Sequence, residues 1–353
     1  MPKTELQNKA TPPLKPKNPL PRWRGFNLLE KFSTETPAKR GGKGSGNPPF
    51  LETDFQWISD WGFDFVRLPM SYHCWSSPDR WMEVDEAALD DVDAAVEMGR
   101  RYGIHVCLNL HRAPGFCVNP PAEPKSLWRD ADALAACTHH WRTLAKRYAG
   151  VPSTRVSFDL LNEPPAPYLG VACSEYEHVV RTLTAAIRGV DAGRLIIADG
   201  LCWGNEPFTE LADLGIGQSC RAYLPTGISH YGVPEYPDSA SFPFPTWPGG
   251  MHWGEPWDRA RLEAHYAPWG KLIAQGVGVH CGEGGCANKT PHDVFLAWFR
   301  DVLEILTGHG IGYALWCFRG EIGILDSERK DVSYKNWHGH ALDEKLLKLL
   351  QEH

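Results

Sequence analysis

A single (β/α)8 TIM barrel of the α/β class is the fold this sequence predicts, and three observations carry the prediction. Eight short apolar runs of β-forming residues alternate with amphipathic helical stretches over nearly the whole chain. Polar residues gather where those runs stop, which a barrel with its site at the strand C-termini requires. No self-similarity at a period of about 20–50 residues points to a solenoid. A doubly wound open sheet is the competing architecture, disfavoured because no Gly-rich phosphate loop follows the first strand.

The elements follow in order. Residues 1–20 are polar, basic and Pro-rich and read as a flexible tail, leaving 21–353 as the (β/α)8 domain. Arg22–Leu29 is the first strand, and Lys31–Pro49, rich in Gly, Lys and Pro, is a long loop. Phe55 and Ile58 recur at helical spacing until Gly62, and Phe63–Pro69 is the second strand. Asp85 caps the next helix, Gly103 ends it, and Ile104–Leu110 is the third strand, running straight into His111. Leu134, Trp141, Leu144 and Tyr148 share a helix face before the fourth strand, Val156–Leu160, which Pro164-Pro165 closes. Ser174 and Glu177 form a capping-box pattern for the following helix. Leu195–Ala198 is the fifth strand, and the sixth is sought between Ala222 and Tyr231. Pro268 falls inside the helix that precedes strand seven, Gly276–His280. Thr290 caps and Pro291 opens a further helix, Ile311–Trp316 is the eighth strand, and a Leu-rich amphipathic helix ends the chain.

Composition narrows the function. A net charge of −7 argues against nucleic acid, and no apolar run reaches the ~20 residues that a membrane span needs. The N-terminus has no apolar core of a signal peptide, so the sequence as given reads as cytoplasmic, or as secreted had a native leader been removed. Ten cysteines include no CxxC and no metal-ligand spacing, which favours reduced thiols and no metal or other cofactor. No protein partner is implied. Fifteen tryptophans exceed what a core demands and suit a ligand with flat apolar faces, such as a sugar.

In the barrel reading, Arg67 ends strand two, His111 strand three, Asn162 and Glu163 strand four, His230 and Tyr231 strand six, and Trp316 strand eight, while Glu283 follows strand seven. Strands four and seven face one another across a barrel. Two glutamates so placed can flank a glycosidic bond, and retention requires their carboxyls about 5 Å apart. At that range like charges push the two pKa values apart, leaving one group protonated near neutrality. Arg67 suits an ion pair that keeps the nucleophile charged, His111 an active-site hydrogen bond, and Trp316 a stacking floor. Trp203 and Trp253, together with Trp75, Trp128 and Trp247, are candidates for sugar stacking.

Five segments in order, VRLP at Arg67, LNLHRAPG at His111, DLLNEPP at Glu163, VHCGEGG at Glu283 and ALWCFRGEIGILD at Trp316, resemble glycoside hydrolase family 5 across roughly residues 22–350. The resemblance implies Glu163 as general acid/base, Glu283 as nucleophile, and Arg67, His111, Asn162 and Trp316 as supports of substrate and carboxylates. It implies a β-linked polysaccharide or oligosaccharide as partner and an endo-β-1,4-glucanase as the activity, with β-mannanase and exo-acting β-glucosidase or β-mannosidase sharing the same residues. Where the family reads His-x-Tyr on strand six, this chain has Ser229-His230-Tyr231-Gly232, so His230 or Tyr231 takes that place and the tyrosine partner of the nucleophile stays open. Gly284 replaces a bulkier residue and is expected to open the mouth. A metal-dependent hydrolase built on His73, His105, His111, His230 and His280 is the alternative class, disfavoured because no His-x-His or His-x-x-x-His pair among them marks a first set of metal ligands. A non-catalytic sugar-binding barrel is the other, disfavoured by the presence of both glutamates.

Overall fold

The computed structural model describes residues 17–32 and 49–353. The expected tail therefore lies outside the described residues up to residue 16, as does most of the long loop after the first strand. Eight strands form the barrel: β1 Arg24–Asn27, β2 Phe65–Ser71, β3 His105–Ala113, β4 Val156–Asp159, β5 Ile196–Asp199, β6 Gly217–Ala222, β7 Val279–Gly284 and β8 Gly312–Leu315. Each pairs in parallel with the next, and β8 pairs with β1, so the sheet closes on itself without a free edge.

Helices α1 Glu52–Asp60, α2 Glu86–Tyr102, α3 Ala131–Arg147, α4 Cys173–Arg188, α5 Arg259–Ala274, α6 His292–Gly308 and α7 Glu344–Glu352 wrap the outside. Their inner faces bury the residues that periodicity picked out, among them Phe55, Ile58, Leu89, Val92, Trp141 and Leu144. Between β5 and β6 a short 3-10 turn, Thr209–Leu214, stands in for a full helix. Asp85 caps α2 through the amides of Ala87 and Ala88, and Gly103 ends it with φ +70°, a conformation that needs no Cβ.

Several expectations shift. The box at α4 is carried by Glu175, which accepts from the Ala172 amide at 2.7 Å, because the helix starts at Cys173 and not at Ser174. Thr290 does not cap α6; its hydroxyl donates to the Ile228 carbonyl, and Asp331 Oδ2 receives the His292 amide at 2.7 Å. Strand six ends at Ala222, ahead of His230 and Tyr231, since the chain breaks there into a cis Leu224-Pro225 bond and a turn of helix over Thr226–Ser229. The inner end of the expected tail belongs to the barrel: Asn18 donates to the Val279 carbonyl at 2.7 Å and accepts its amide at 3.1 Å, and Leu20 packs over Gly278.

The lower barrel is filled by Trp23, Phe65, Cys107, Ile197 and Ala314. His105 stacks on Trp23 with centroids 3.8 Å apart, and His280 leans on Phe65 at 4.5 Å. Burial pushes these imidazoles down to about 4 and about 3, so both are neutral parts of an apolar floor. The upper end, where the strands stop, carries the charge.

Candidate active site

The upper barrel holds an ionic lattice built on two buried arginines. Arg67 projects from β2 and donates through Nε to Asp159 Oδ2 at 2.7 Å, and through Nη1 to Glu283 Oε1 at 2.6 Å and Asn27 Oδ1 at 3.1 Å. Its Nη2 reaches Asn162 Oδ1 at 2.9 Å. Burial works against this guanidinium, but Asp159 and Glu283 more than restore its charge. Arg221, from β6, donates through Nε to Glu163 Oε1 at 3.2 Å and through Nη2 to Asn162 Oδ1 at 3.0 Å. The same Nη2 approaches Glu283 Oε1 at 3.4 Å, and Asp199 takes the guanidinium end-on through both oxygens, Oδ1 at 3.1 Å from Nη1. Both glutamates therefore rest on one guanidinium.

Local chain geometry puts them there. A bulge in β7 between Cys281 and Glu283 sets Glu283 opposite Arg221 in register, where an unbroken strand would not. A Cβ on Gly282 would come within 3.0 Å of Arg221 Nη1, so that glycine is a condition of the arrangement. β4 stops at Asp159, earlier than predicted, and buried Leu160 and Leu161 carry the chain to Asn162 and Glu163. Glu163 sits at φ +54°, an unusual angle for a side-chain-bearing residue, held by donation of its amide to Asp199 Oδ2 at 2.8 Å.

The two carboxylates have different surroundings. Glu283 is buried, accepting from Arg67 on Oε1 and from the Tyr223 hydroxyl on Oε2 at 3.0 Å. Burial and then the Glu283 charge raise the Tyr223 hydroxyl well above its ordinary value, so it stays a donor. Glu163 keeps 19% of its side-chain surface open to the cleft. Burial and the neighbouring Glu283 push it up to about 8 against the opposing pull of Arg221. One carboxyl is thus arranged to be an anion and the other to keep its proton.

His111 approaches Asn162 Nδ2 at 3.4 Å and stacks on Trp316 with centroids 5.4 Å apart. Burial, then the two arginines, hold it well below the ordinary histidine value, so it is neutral. These groups open into a cleft of about 1570 Å³ lined by loops following β3 to β8. Trp203 and Trp253 line it, the latter 77% exposed at the tip of a hairpin formed by Gly250–His252 and Glu255–Trp257. Trp75 is instead buried, donating to His140, Trp128 packs between Phe116 and Tyr176, and Trp247 donates to Asp301.

Of the residues singled out in the sequence, Arg67, His111, Asn162, Glu163, Glu283 and Trp316 come together. His230 lines the cleft and packs against Tyr223, while Tyr231 lies beside Phe244 and is not among the lining residues. The position sought in Ser229-His230-Tyr231 is held by Tyr223, just past the end of β6. Gly284 does not widen the mouth, because Ala222 fills the space: a Cβ there would meet the Ala222 Cβ at 2.6 Å. Sequence reasoning missed Asn27, Asp159, Asp199, Arg221 and Tyr223. The signal was available for the last two: Arg221-Ala222-Tyr223 spaces two polar side chains by one residue at a strand end, which puts both on one face. Among the described residues no group of three His, Cys, Asp or Glu has a metal-binding arrangement, the five histidines considered being divided between floor, cleft and the loop after β2.

Comparison with known proteins agrees with the geometry. Endoglucanase C of Acetivibrio thermocellus is 25% identical over 308 residues, covering 80% of this chain and 88% of that protein. Cellodextrinase A of Ruminococcus flavefaciens is 26% identical over 275 residues, covering 74% and 76%. A crystal structure described as a glycoside hydrolase superposes with a TM-score of 0.87 at 35% identity, covering 94% of this chain and 99% of its own. Residues 29–321 match the family model of the cellulases, and the chain with its closed parallel barrel belongs to glycosyl hydrolase family 5.

Proposed function

We propose that this glycoside hydrolase is a retaining endo-β-1,4-glucanase, with Glu283 as nucleophile and Glu163 as acid/base. The supporting observation is the contrast between the two carboxylates on one guanidinium: Glu283 held as an anion by Arg67 and Tyr223, Glu163 raised to about 8 and open to the cleft. In the first step a Glu283 oxygen attacks the anomeric carbon while Glu163 passes its proton to the leaving oxygen, and the glycosidic bond breaks. In the second, Glu163 takes a proton from water, the water oxygen attacks the anomeric carbon, and the ester to Glu283 is released. Asn162, fixed by both arginines, and neutral His111 are placed to hydrogen-bond the sugar beside the reacting carbon. Trp316, braced by His111, offers a flat face beneath it.

A cleft open along several loops, with Trp203 and the exposed Trp253 among its lining, favours attack within a chain over removal of a terminal unit. The names of the two relatives described above, an endoglucanase and a cellodextrinase, support a β-glucan over a mannan. The test is a panel of barley β-glucan, carboxymethylcellulose, mannan, xyloglucan and aryl β-glycosides with product lengths recorded. Expected are mixed oligosaccharides from the glucans and retained configuration at the new reducing end. Glu163→Ala and Glu283→Ala should each remove most activity, and azide should restore at least one on an activated aryl glycoside. Single-sugar release, or an inverted product, rules out the proposal.

A further inference from the structure

Arg221 is buried and engages carboxylates on both of its sides. It sits between Asp199, which binds it through two oxygens, and Glu163, Asn162 and Glu283 on its other side. Its cradle is shaped for it: Gly204, at φ +77°, and Gly282 would each drive a Cβ into its side chain, to 2.7 Å from Cγ and 3.0 Å from Nη1. Asp199 has a second task, because Oδ2 also accepts the Glu163 amide at 2.8 Å. The pair thus grips Glu163 at both ends, the backbone by Asp199 and the carboxyl by Arg221.

That grip decides where a proton sits. An arginine N–H can only donate, and in a protonated carboxyl it pairs best with the carbonyl oxygen, the stronger acceptor, so donation to Glu163 Oε1 favours the acid's hydrogen on Oε2. Oε2 has no protein partner among the described residues. We propose that Arg221, locked by Asp199, is the positioning residue that makes Oε2 of Glu163 the proton-delivering atom and sets how strongly that proton is held. The inference rests on Glu163 being the acid/base.

The arrangement also changes between the two steps. While Glu283 is an anion, Arg221 is shared between two carboxylates. Once Glu283 is esterified its charge is gone, the guanidinium serves Glu163 alone, and Glu163 becomes the weaker holder of a proton that a base toward water must first have lost. The charged and titratable groups around Glu163 are Arg67 from β2, His111 from β3, Asp199 from β5, Arg221 and Tyr223 from β6 and its end, and Glu283 from β7.

Their signs give an opposed pair of outcomes. Arg221 lowers the Glu163 pKa and Asp199 raises it. The basic limb of kcat/KM should therefore move up by about one unit in Arg221→Met and down in Asp199→Asn. Arg221→Lys keeps the charge but not the planar fork, and it serves as the second variant should Arg221→Met not fold; its limb should also move up, by less. In each Arg221 variant, loss on a phenyl β-cellobioside, which needs acid assistance, should exceed loss on the dinitrophenyl one by about tenfold or more. A merely structural role lowers both substrates equally and leaves the limb in place. Opposite limb shifts support the inference; an unmoved limb, or shifts of one sign, overturns it. Glu163→Gln measured alongside separates two failures: its loss of the limb beside an unmoved Arg221→Met limb sinks the inference alone, whereas a limb surviving Glu163→Gln sinks the reading beneath it.

Discussion

Tyr223 donates its hydroxyl to Glu283 Oε2 at 3.0 Å, while Arg67 occupies Oε1 of the same carboxylate at 2.6 Å. Each oxygen thus has its own donor, and the carboxylate cannot rotate without losing one. A hydrogen bond to a charged group contributes about 1.5–3 kcal/mol, which corresponds to roughly 10–100-fold in rate if it is lost in the transition state. Tyr223→Phe should therefore lower kcat by at least about tenfold on an aryl β-cellobioside. Because the phenol is raised well above its ordinary value, it stays protonated and the loss should be uniform from about pH 5 to 9. A pH-dependent deficit, or none, would count against this geometry.

The raised Glu163 leads to a pH prediction whose sign can be worked out. The acid must carry its proton when substrate binds, so kcat/KM should hold at lower pH and fall as pH rises through about 8. After esterification of Glu283 the second-largest cause of the upward shift disappears, and the Glu163 pKa must drop. Trapping the enzyme with a 2-fluoro glycoside and titrating isotope-labelled Glu163 by NMR should show the midpoint below that of the free enzyme. An unchanged midpoint would mean that the two carboxylates do not sense one another.

Most strands and both glutamates were legible because they rest on local rules, apolar runs, proline stops and polar residues just beyond, although strand seven runs on past His280 to Gly284 and so contains Glu283 instead of preceding it. Tyr223 was not, for a specific reason. The search for strand six was drawn to His230 and Tyr231, whereas the strand itself, GQSCRA, carries few of the apolar residues that mark a buried strand. It is a barrel strand because Gln218 and Ser219 face partners inside the molecule, Gln218 bonding both amide and carbonyl of Phe208. Buried polar strands hide from hydropathy, and so did Asp159, Asp199 and Arg221, whose burial is compensated by partners on other strands, Arg67 for Asp159, and Arg221 and Asp199 for each other. Pairing across the barrel is a property of closure and cannot be seen along the chain.

Close approach of β6 and β7 makes Gly284 a point of sensitivity. Adding one methyl in Gly284→Ala sets two Cβ atoms 2.6 Å apart, with the Ala222 carbonyl at 3.1 Å, and the strands must part beside Glu283. A cost of about 1–3 kcal/mol is expected for such overpacking, read as a lower Tm with reduced kcat. Ala222→Gly in the same chain removes the opposing methyl and should recover most of the loss. Failure of the double variant to recover would place the cause elsewhere.

Away from the cleft chemistry, Glu30 is fully buried, and no side chain among the described residues donates a hydrogen bond to its carboxyl. The cation that acts on it, Arg319, is already engaged by Asp54 through both terminal guanidinium nitrogens, Nη1 at 2.8 Å from Oδ2. Burial raises Glu30 to about 7, with the Arg319 charge and the amides of Glu30 and Leu29 opposing the shift without cancelling it. The folded state therefore binds this proton more tightly than the unfolded chain does. The stability that the proton lends is present in full below the unfolded value near 4.5 and is lost as pH rises through about 7. The pKa difference corresponds to about 3 kcal/mol as an order of magnitude. Glu30→Gln keeps the shape and cannot ionise, so its unfolding free energy should lack this decline between about pH 4.5 and 7 and exceed that of the wild type at pH 8. Denaturant titrations at pH 5 and 8 decide it: parallel pH dependences for the two proteins would show that Glu30 is not the group that ionises at the expense of the fold.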